Sequence, residues 1–309
     1  MFGVPVSYIA GRLLQAVPTL LVLLALVFFL VRLTGDPAQL YLGDFATPEA
    51  VAELRSTWGL DRPVYLQFFD YVRGLLKGDL GQSLRYSKPV ATLIGERFGA
   101  SLGLAAAGLA LSVIVSLPLG TIAALNRGRW LDNLIRFLIV IGQAVPRFYL
   151  AILFILLFGL YLRILPTSGS GTWRHLVLPA VALSLPTTAL LARLTRSAVL
   201  DVISQDFIRT ARAKGVPPAR INYRHVLRNS LMAPITVITI QFSQLIGGSV
   251  VVETVFGWPG LGQLAIQSVY TRDFVLIQGI VLVMTLIVIV VNVITDVAYG
   301  LIDPRVRYR

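Results

Sequence analysis

Six stretches of this chain carry almost no charge, and each is about long enough to cross a bilayer. They are Leu13–Val31, Phe98–Leu125, Phe137–Leu162, Leu176–Ala192, Asn229–Val252 and Phe274–Thr295. A helix crossing a hydrocarbon layer about 30 Å thick needs roughly 20 residues at about 1.5 Å of rise each. The third stretch is interrupted at Pro146-Arg147. The fourth has only 17 residues, and extends past Arg193 if that side chain snorkels to the interface. The pattern predicts an all-α membrane protein with about six transmembrane helices. Arg12 precedes the first stretch as it would in a signal peptide. However, Val31-Arg32-Leu33-Thr34-Gly35-Asp36 offers no small-x-small cleavage site, so that stretch reads as a retained helix.

The polar intervals set the orientation. One set of short loops and ends holds Arg12, Arg127, Arg129, Arg193, Arg196, Arg209, Arg212, Lys214, Arg220, Arg224, Arg228, Arg305, Arg307 and Arg309. The other set holds only Arg163, Arg174 and Arg272. Lys and Arg accumulate on the cytoplasmic side, so both termini and the 193–228 region are expected there. The chain then divides into a first transmembrane helix (1–32), an extracytoplasmic subdomain (33–97), a five-helix core (98–302) with a cytoplasmic loop at 199–228, and a cytoplasmic tail (303–309). Residues 33–100 carry seven basic and eight acidic side chains, a near-neutral segment long enough to translocate largely regardless of charge. Within it Glu49–Trp58 and Val64–Leu76 read as helices, followed by a turn at Lys77-Gly78-Asp79-Leu80-Gly81. A surface cap and a docking region are equally consistent with that subdomain.

Composition agrees with a lipid environment. Hydrophobic residues make up 56% of the chain and charged residues 14%, where a soluble domain carries about a quarter charged; the mean hydropathy is +0.78. A net charge of +12 raises nucleic acid as a partner. The charges fall between apolar runs rather than on one soluble face, so no nucleic-acid partner is expected. The absence of cysteine excludes disulfides, Cys-ligated zinc and thiol catalysis. His175 and His225 are too far apart in sequence to form a metal-ligand pair, and no metal site is expected.

The basic loop has internal order. Ile203, Phe207 and Ala211 recur every four residues and predict one apolar helical face. Asp201 and Asp206 lie toward the start of that helix, and Arg209, Arg212 and Lys214 toward its end, as the macrodipole favours. Gly215 is a ready stop, and a second helix is expected from near Pro218 into the fifth span. Such a hairpin buries little by itself. Its face suits a protein partner, an anionic lipid surface, or neither if it is an ordinary positive-inside loop.

Asp206-Phe-Ile-Arg-Thr-Ala-Arg-Ala-Lys-Gly215, followed by Arg224-His-Val-Leu-Arg-Asn-Ser-Leu231, resembles the cytoplasmic signature of ABC-importer permeases, in particular the dipeptide/oligopeptide/nickel family. The general signature has Glu-Ala-Ala, three residues, Gly, then nine residues before Ile-x-Leu-Pro. Aligned on Gly215, only Ala211 and Leu227 match it, whereas Arg-Thr-Ala-Arg-Ala-Lys-Gly is similar to the peptide-family version. Gly78–Ser83 with Lys88-Pro-Val90, Val251–Phe256 with Pro259-Gly-Leu-Gly262, and Asp303-Pro-Arg305 resemble other segments of that family in the expected order. The long outer segment resembles the first of its two paralogous permease subunits.

The resemblance implies a type I ABC importer permease fold. It further implies a multi-pass subunit of a bacterial or archaeal cytoplasmic (inner) membrane, paired with a paralogous second permease, two ABC ATPases and an extracytoplasmic substrate-binding protein. Phe207, Arg209, Thr210, Ala211, Arg212, Lys214 and Gly215 would dock an ATPase. The chain has no G-x-x-x-x-G-K-[ST] phosphate loop. It is therefore expected to be no enzyme and to hold no cofactor, ATP and Mg being bound by the partner ATPases. Substrates implied are di- or oligopeptides, with nickel or another small solute as the alternative.

Polar groups inside spans are costly and face protein or water. Gln241, Gln244 and Gly248 share one predicted face of the fifth span, and Arg147 interrupts the third. All four are candidates for lining the pathway; close helix packing is the competing role for Gln241, Gln244 and Gly248, and a break of the run at Pro146, with the guanidinium snorkelling or paired, is the competing reading for Arg147. Glu253, and Asn292 with Asp296, read more readily as structural. A secondary transporter or channel would show coupling carboxylates or inverted repeats, and an intramembrane enzyme paired acids or a Ser/His/Asp set. Beyond Asp296, neither pattern is evident.

Overall fold

The structure, a computed structural model, describes residues 6–33, 35–43 and 46–302. The side chains of Arg12 and Asp296, and the 303–309 tail with its Asp303-Pro-Arg305 motif, lie outside the described residues. Described secondary structure is helical throughout, with a single isolated bridge between Gln82 and Pro89.

Helix α1 (Val6–Leu33) leads to three short helices, α2 (Pro37–Leu42), α3 (Pro48–Thr57) and α4 (Val64–Leu76). The last two coincide closely with the predicted pair; α2, at six residues, is too short to show a period. Asp36 caps α2 by accepting from the Ala38 N–H at 3.0 Å, and Thr47 caps α3 by accepting from Ala50 at 3.3 Å. A first-turn proline follows each cap, where its missing N–H has no helical partner to lose. The α4 helix docks on the end of α1. Phe28 meets Phe68 and Tyr71 at centroid distances of 5.2 and 5.8 Å, and Arg32, lying over the Phe28 ring, donates to Gln67 Oε1 at 2.7 Å.

The core continues with α5 (Val90–Leu125), α6 (Trp130–Ala144), α7 (Arg147–Phe154), a π-helical segment (Ile155–Tyr161) and α8 (Trp173–Ile203). A hairpin follows, with α9 (Asp206–Ala213) as its first limb. The second limb comprises α10 (Pro218–Arg220), a π-helical segment (Ile221–Leu227) and α11 (Arg228–Ser230). Then come α12 (Met232–Phe256), α13 (Leu261–Tyr270) and α14 (Phe274–Ile302). Among the described residues five helices contain membrane-length apolar segments, including Leu14–Leu33 in α1 and Pro234–Phe256 in α12. Helix α5 starts earlier than its uncharged run. Val90, Leu93 and Ile94 are buried against Leu261, Leu264, Leu276 and Ile280, while Glu96 stays exposed beside Lys88.

The third predicted span breaks at the Pro146-Arg147 interruption. Phe137–Leu162 is not one helix: the chain breaks at Val145-Pro146 and the axis turns by 104°. Proline has no N–H for the ladder and its ring clashes with the preceding turn, which ends α6. The bent pair nevertheless runs from one end of the bundle to the other. In its first turn Asp132 bonds to Arg196, about two turns before the end of α8. Beyond Tyr161, the Gly169 N–H donates to the Phe256 carbonyl at 2.9 Å, at the opposite end of α12 from the hairpin.

The fourth predicted run lies in α8, which is 31 residues long and continues through Arg193 and Arg196. Arg196 is paired with Asp132, and Arg193 donates to Gln143 at 3.3 Å. Helix α5 lies close along α8. A Cβ at Gly120 would meet the Ala192 carbonyl and Thr195, and one at Gly108 would touch Leu183. The main core gathers Leu104, Leu183, Leu245, Ile246 and Phe256 between α5, α8 and α12.

Candidate functional site

The hairpin is a rigid projection rather than a loose loop. Ser204 and Gln205 separate the end of α8 from α9, whose first turn carries Asp206 and whose last carries Arg212. The helix then closes on Gly215, which sits at φ +73°. Its N–H donates to Arg212 O at 3.0 Å, and the Val216 N–H donates to Ala211 O at 3.2 Å. This pair of bonds is a Schellman closure, and its left-handed residue favours glycine.

Ile208, Ile221 and Val226 are buried against Ala124 of α5 and Val199 of α8, with Ile203, Ala211 and Val216 packed around them. The predicted face of Ile203, Phe207 and Ala211 is thereby corrected. The break at Ser204-Gln205 resets the helical phase, so Ile208 points inward and Phe207 is 42% exposed. Beside Phe207, the side chains of Arg209, Thr210, Arg212 and Lys214 are exposed as well. Among the described residues the one carboxylate paired with these cations is Asp206, 3.5 Å from Arg209 in an exposed pair of little energetic weight. The outward face of α9 is thus one aromatic ring set among cations.

The four intramembrane candidates separate. Arg147 opens α7 at the 104° bend, and its guanidinium covers Gly248 so closely that a Cβ there would collide with Nη1. Among the described residues Arg147 has no carboxylate partner. Gln241 is buried and accepts from Thr187 of α8 at 3.5 Å, whereas Gln244 is exposed. One turn of α12 therefore sends two glutamines to different surroundings. Ser243 donates to Asn292 at 2.7 Å, tying α12 to α14.

Three buried carboxylates hold the scaffold around these features. Glu253, fully buried, accepts from Ser101 and Ser249 on one oxygen at 2.7 and 2.8 Å, and from the Gly262 and Gln263 N–H groups on the other at 2.7 and 3.2 Å. It caps α13 where the helix dipole favours an anion. Gly260 and Gly262 permit this, because a Cβ on either would strike the Glu253 carboxylate. Asp273 accepts from Ser83 and from the N–H groups of Arg85 and Leu276, joining the 83–86 turn to the start of α14. Asp132 binds Arg196 through both oxygens, at 2.7 and 2.8 Å. Sequence reasoning missed Asp132 and Asp273. The available signals were an acid directly before an apolar run, a cap position, at Asp273, and an acid a few residues before the Phe137 run, where a helix's first turn favours one, at Asp132.

A bundle of membrane-length helices that ends in a rigid cationic projection, in a chain without a phosphate loop, has the build of a transporter's membrane subunit driven by a partner. Residues 116–308 match the family described as "Binding-protein-dependent transport system inner membrane component", and residues 6–105 match its counterpart "Binding-prot-dependent transport system membrane comp, N-term". The chain belongs to this family: it is a permease subunit of a binding-protein-dependent ABC importer, an inner-membrane component whose ATP is hydrolysed by separate ATPase subunits. It is 41% identical over 304 residues to the glutathione transport system permease protein GsiC of Escherichia coli K12, covering 98% of this chain and 99% of that one. Its similarity to GsiC of Salmonella typhimurium LT2 is the same. The fold is similar to that of a chain of the inward-facing MetNI methionine ABC transporter, with a TM-score of 0.59 at 20% identity over 68% of this chain and 96% of that one. A chain of an amino acid ABC transporter crystallised with histidines gives 0.55 at 15% identity, over 68% and 94%.

Proposed function

We propose that this subunit forms one half of a translocation pathway for peptide-class substrates, and that the outward face of α9 seats an ABC ATPase. The observation that carries the docking reading is the contrast within α9: Ile208 is locked into the α5–α8 core while Phe207 and the cations beside it are exposed. A closed Schellman turn transmits a push on α9 into the spans it packs against, where a flexible loop would dissipate it. Closure of ATPases holding ATP and Mg would in this way tilt α5 and α8. The other half of the pathway is a paralogous second permease, and the substrate-binding protein delivers from the side of α2–α4. Both termini and the hairpin lie in the cytoplasm.

The substrate reading rests on the relatives named as glutathione permeases and on Arg147. Glutathione is a tripeptide with two carboxylates, and a guanidinium without a carboxylate partner is suited to meet such a group in transit. Gly248 provides the space the guanidinium occupies, and Gln244 lies exposed on the same helix. Reconstitution with the cognate binding protein tests this, comparing uptake of glutathione, a neutral-capped dipeptide and a nickel chelate. Peptide uptake that falls on Arg147→Gln is expected, most for substrates with free carboxylates. Uptake of the nickel chelate alone would move the chain to the other branch of its family. Independently, Arg209→Glu with Arg212→Glu is expected to abolish ATP-driven uptake while membrane insertion persists. Wild-type uptake in that variant, with ATPases still bound, would sink the docking reading.

A further inference from the structure

The second limb of the hairpin carries a feature that docking through α9 leaves unused. Arg220, Arg224 and Arg228 recur every four residues along Pro218–Ser230, and among the described residues none has a carboxylate partner. Beside them Tyr223, Leu227 and Leu231 recur at the same interval. The two rows lie side by side on one face of the limb and line a single open groove of 720 Å³. The opposite side of the limb is the packed one, through Ile221 and Val226.

Three neighbouring like charges at this spacing repel one another, and Arg220 stands at the limb's positive N-terminal end, where a cation is disfavoured. The arrangement calls for an anion. Its depth indicates which one. The uncharged run of the fifth span begins at Asn229, so Arg228, Arg224 and Tyr223 stand about 2, 8 and 9 Å before it on a helix, and Leu231 lies just inside it. The headgroup layer on each side of a bilayer is roughly 5–8 Å thick. Tyr223, 78% exposed, is the residue type that settles at that level, with its ring toward the chains and its hydroxyl toward water.

We infer that this groove binds an anionic phospholipid of the inner leaflet. Arg224 and Arg228 bracket the phosphate, Arg220 extends the positive field, and Leu227 and Leu231 receive the upper part of an acyl chain. Guanidinium forks match phosphate oxygens, and anionic lipid adds long-range attraction to the same stripe. The inference rests on the proposed cytoplasmic placement of the hairpin, but not on α9 being the ATPase seat.

The test uses the complete transporter, permeases with ATPases, purified into nanodiscs of mixed phosphatidylglycerol and phosphatidylcholine. Native mass spectrometry then reads the lipid retained after detergent release. Wild type is expected to retain phosphatidylglycerol over phosphatidylcholine. Replacing Arg220, Arg224 and Arg228 by Gln is expected to cut that preference roughly 10- to 100-fold with the ATPases still attached. The triple Lys variant, which keeps the charge, is expected to recover part of it. Equal retention of the two lipids by wild type overturns the inference without any variant. A Gln variant that keeps its phosphatidylglycerol also overturns it, and if that variant sheds its ATPases the groove belongs to a protein partner. The Arg209→Glu, Arg212→Glu variant separates the two readings, since its phosphatidylglycerol retention should match wild type whether or not its uptake is uncoupled.

Discussion

Glu253 accepts a hydrogen bond from Ser101 Oγ at 2.7 Å, joining α12 to α5 through a carboxylate with no solvent exposure. Its other oxygen holds the first N–H groups of α13, so three helices meet at one side chain. Glu253→Ala would leave the Ser101 hydroxyl and the Gly262 and Gln263 N–H groups without their acceptor, while Ser249 keeps the Ile246 carbonyl. The expected loss is about 3 kcal/mol or more, since bonds to a charged acceptor are among the strongest and orphaned partners carry the desolvation penalty. Glu253→Gln should cost less, because its carbonyl can face Gly262 while its amide donates to the serine hydroxyls. Thermal unfolding of the purified transporter measures both. Equal midpoints for Ala and wild type would remove the carboxylate from any account of stability.

The Asp132–Arg196 pair fixes α6 against α8 with Asp132 1% exposed and bound through both oxygens. Asp132→Ala leaves a partly buried guanidinium unpaired and is expected to cost about 3 kcal/mol. A double-mutant cycle with Arg196→Ala should show a coupling of roughly 1–3 kcal/mol, the two losses summing to more than the double variant's. Strict additivity would mean that the two side chains do not stabilise α6 through each other.

A methyl group on Gly215 would meet nothing within 4 Å, so the constraint at this position is purely conformational. At φ +73° a valine is strained by about 1–2 kcal/mol, and asparagine, which tolerates the left-handed region, by less. Gly215→Val is expected to uncouple ATP hydrolysis from uptake with insertion intact, and Gly215→Asn to stay near wild type. Paired ATPase and uptake assays decide. Coupling unaffected in the valine variant would show that the angle between the limbs is immaterial.

Neighbouring glycines in α12 are expected to behave differently. A Cβ at Gly248 collides with Arg147, whereas one at Gly247 meets nothing within 4 Å. Gly248→Leu should displace the guanidinium and reduce peptide uptake by about tenfold or more, equivalent to about 1.4 kcal/mol. Gly247→Ala serves as the control for helix propensity, and initial uptake rates compare the two. Similar rates for both variants would detach Arg147 from substrate passage.

Much of this arrangement was legible along the chain because lipid imposes a one-dimensional rule. A backbone crossing hydrocarbon must satisfy its own hydrogen bonds, so long uncharged runs become helices wherever they pack. The predicted runs sit within the helices observed, apart from the one containing Pro146 and from Asn229–Val252, which starts in α11 and crosses Leu231 into α12, and Val64–Leu76 is found as predicted. Local grammar also reached the hairpin, since Gly215 and Pro217-Pro218 stop one helix and start the next from neighbouring residues alone. The helix α13 was not read from the sequence: it has only ten residues, and its start is fixed partly by Ser101, 160 positions away.

By itself the sequence determined that this is a helical membrane protein, that its basic loop is a hairpin, and that its segments follow the order of an ABC-importer permease. Those properties depend on hydropathy, capping and spacing, which are local. Only the tertiary structure decided that the third run bends by 104°, that Ile208 rather than Phe207 turns inward, and that Arg147 lies on Gly248 while Gln241 and Gln244 part company. Each of those outcomes depends on which helix stands opposite. A helical period specifies the angle between two side chains about their own axis, but not the neighbour that either will face.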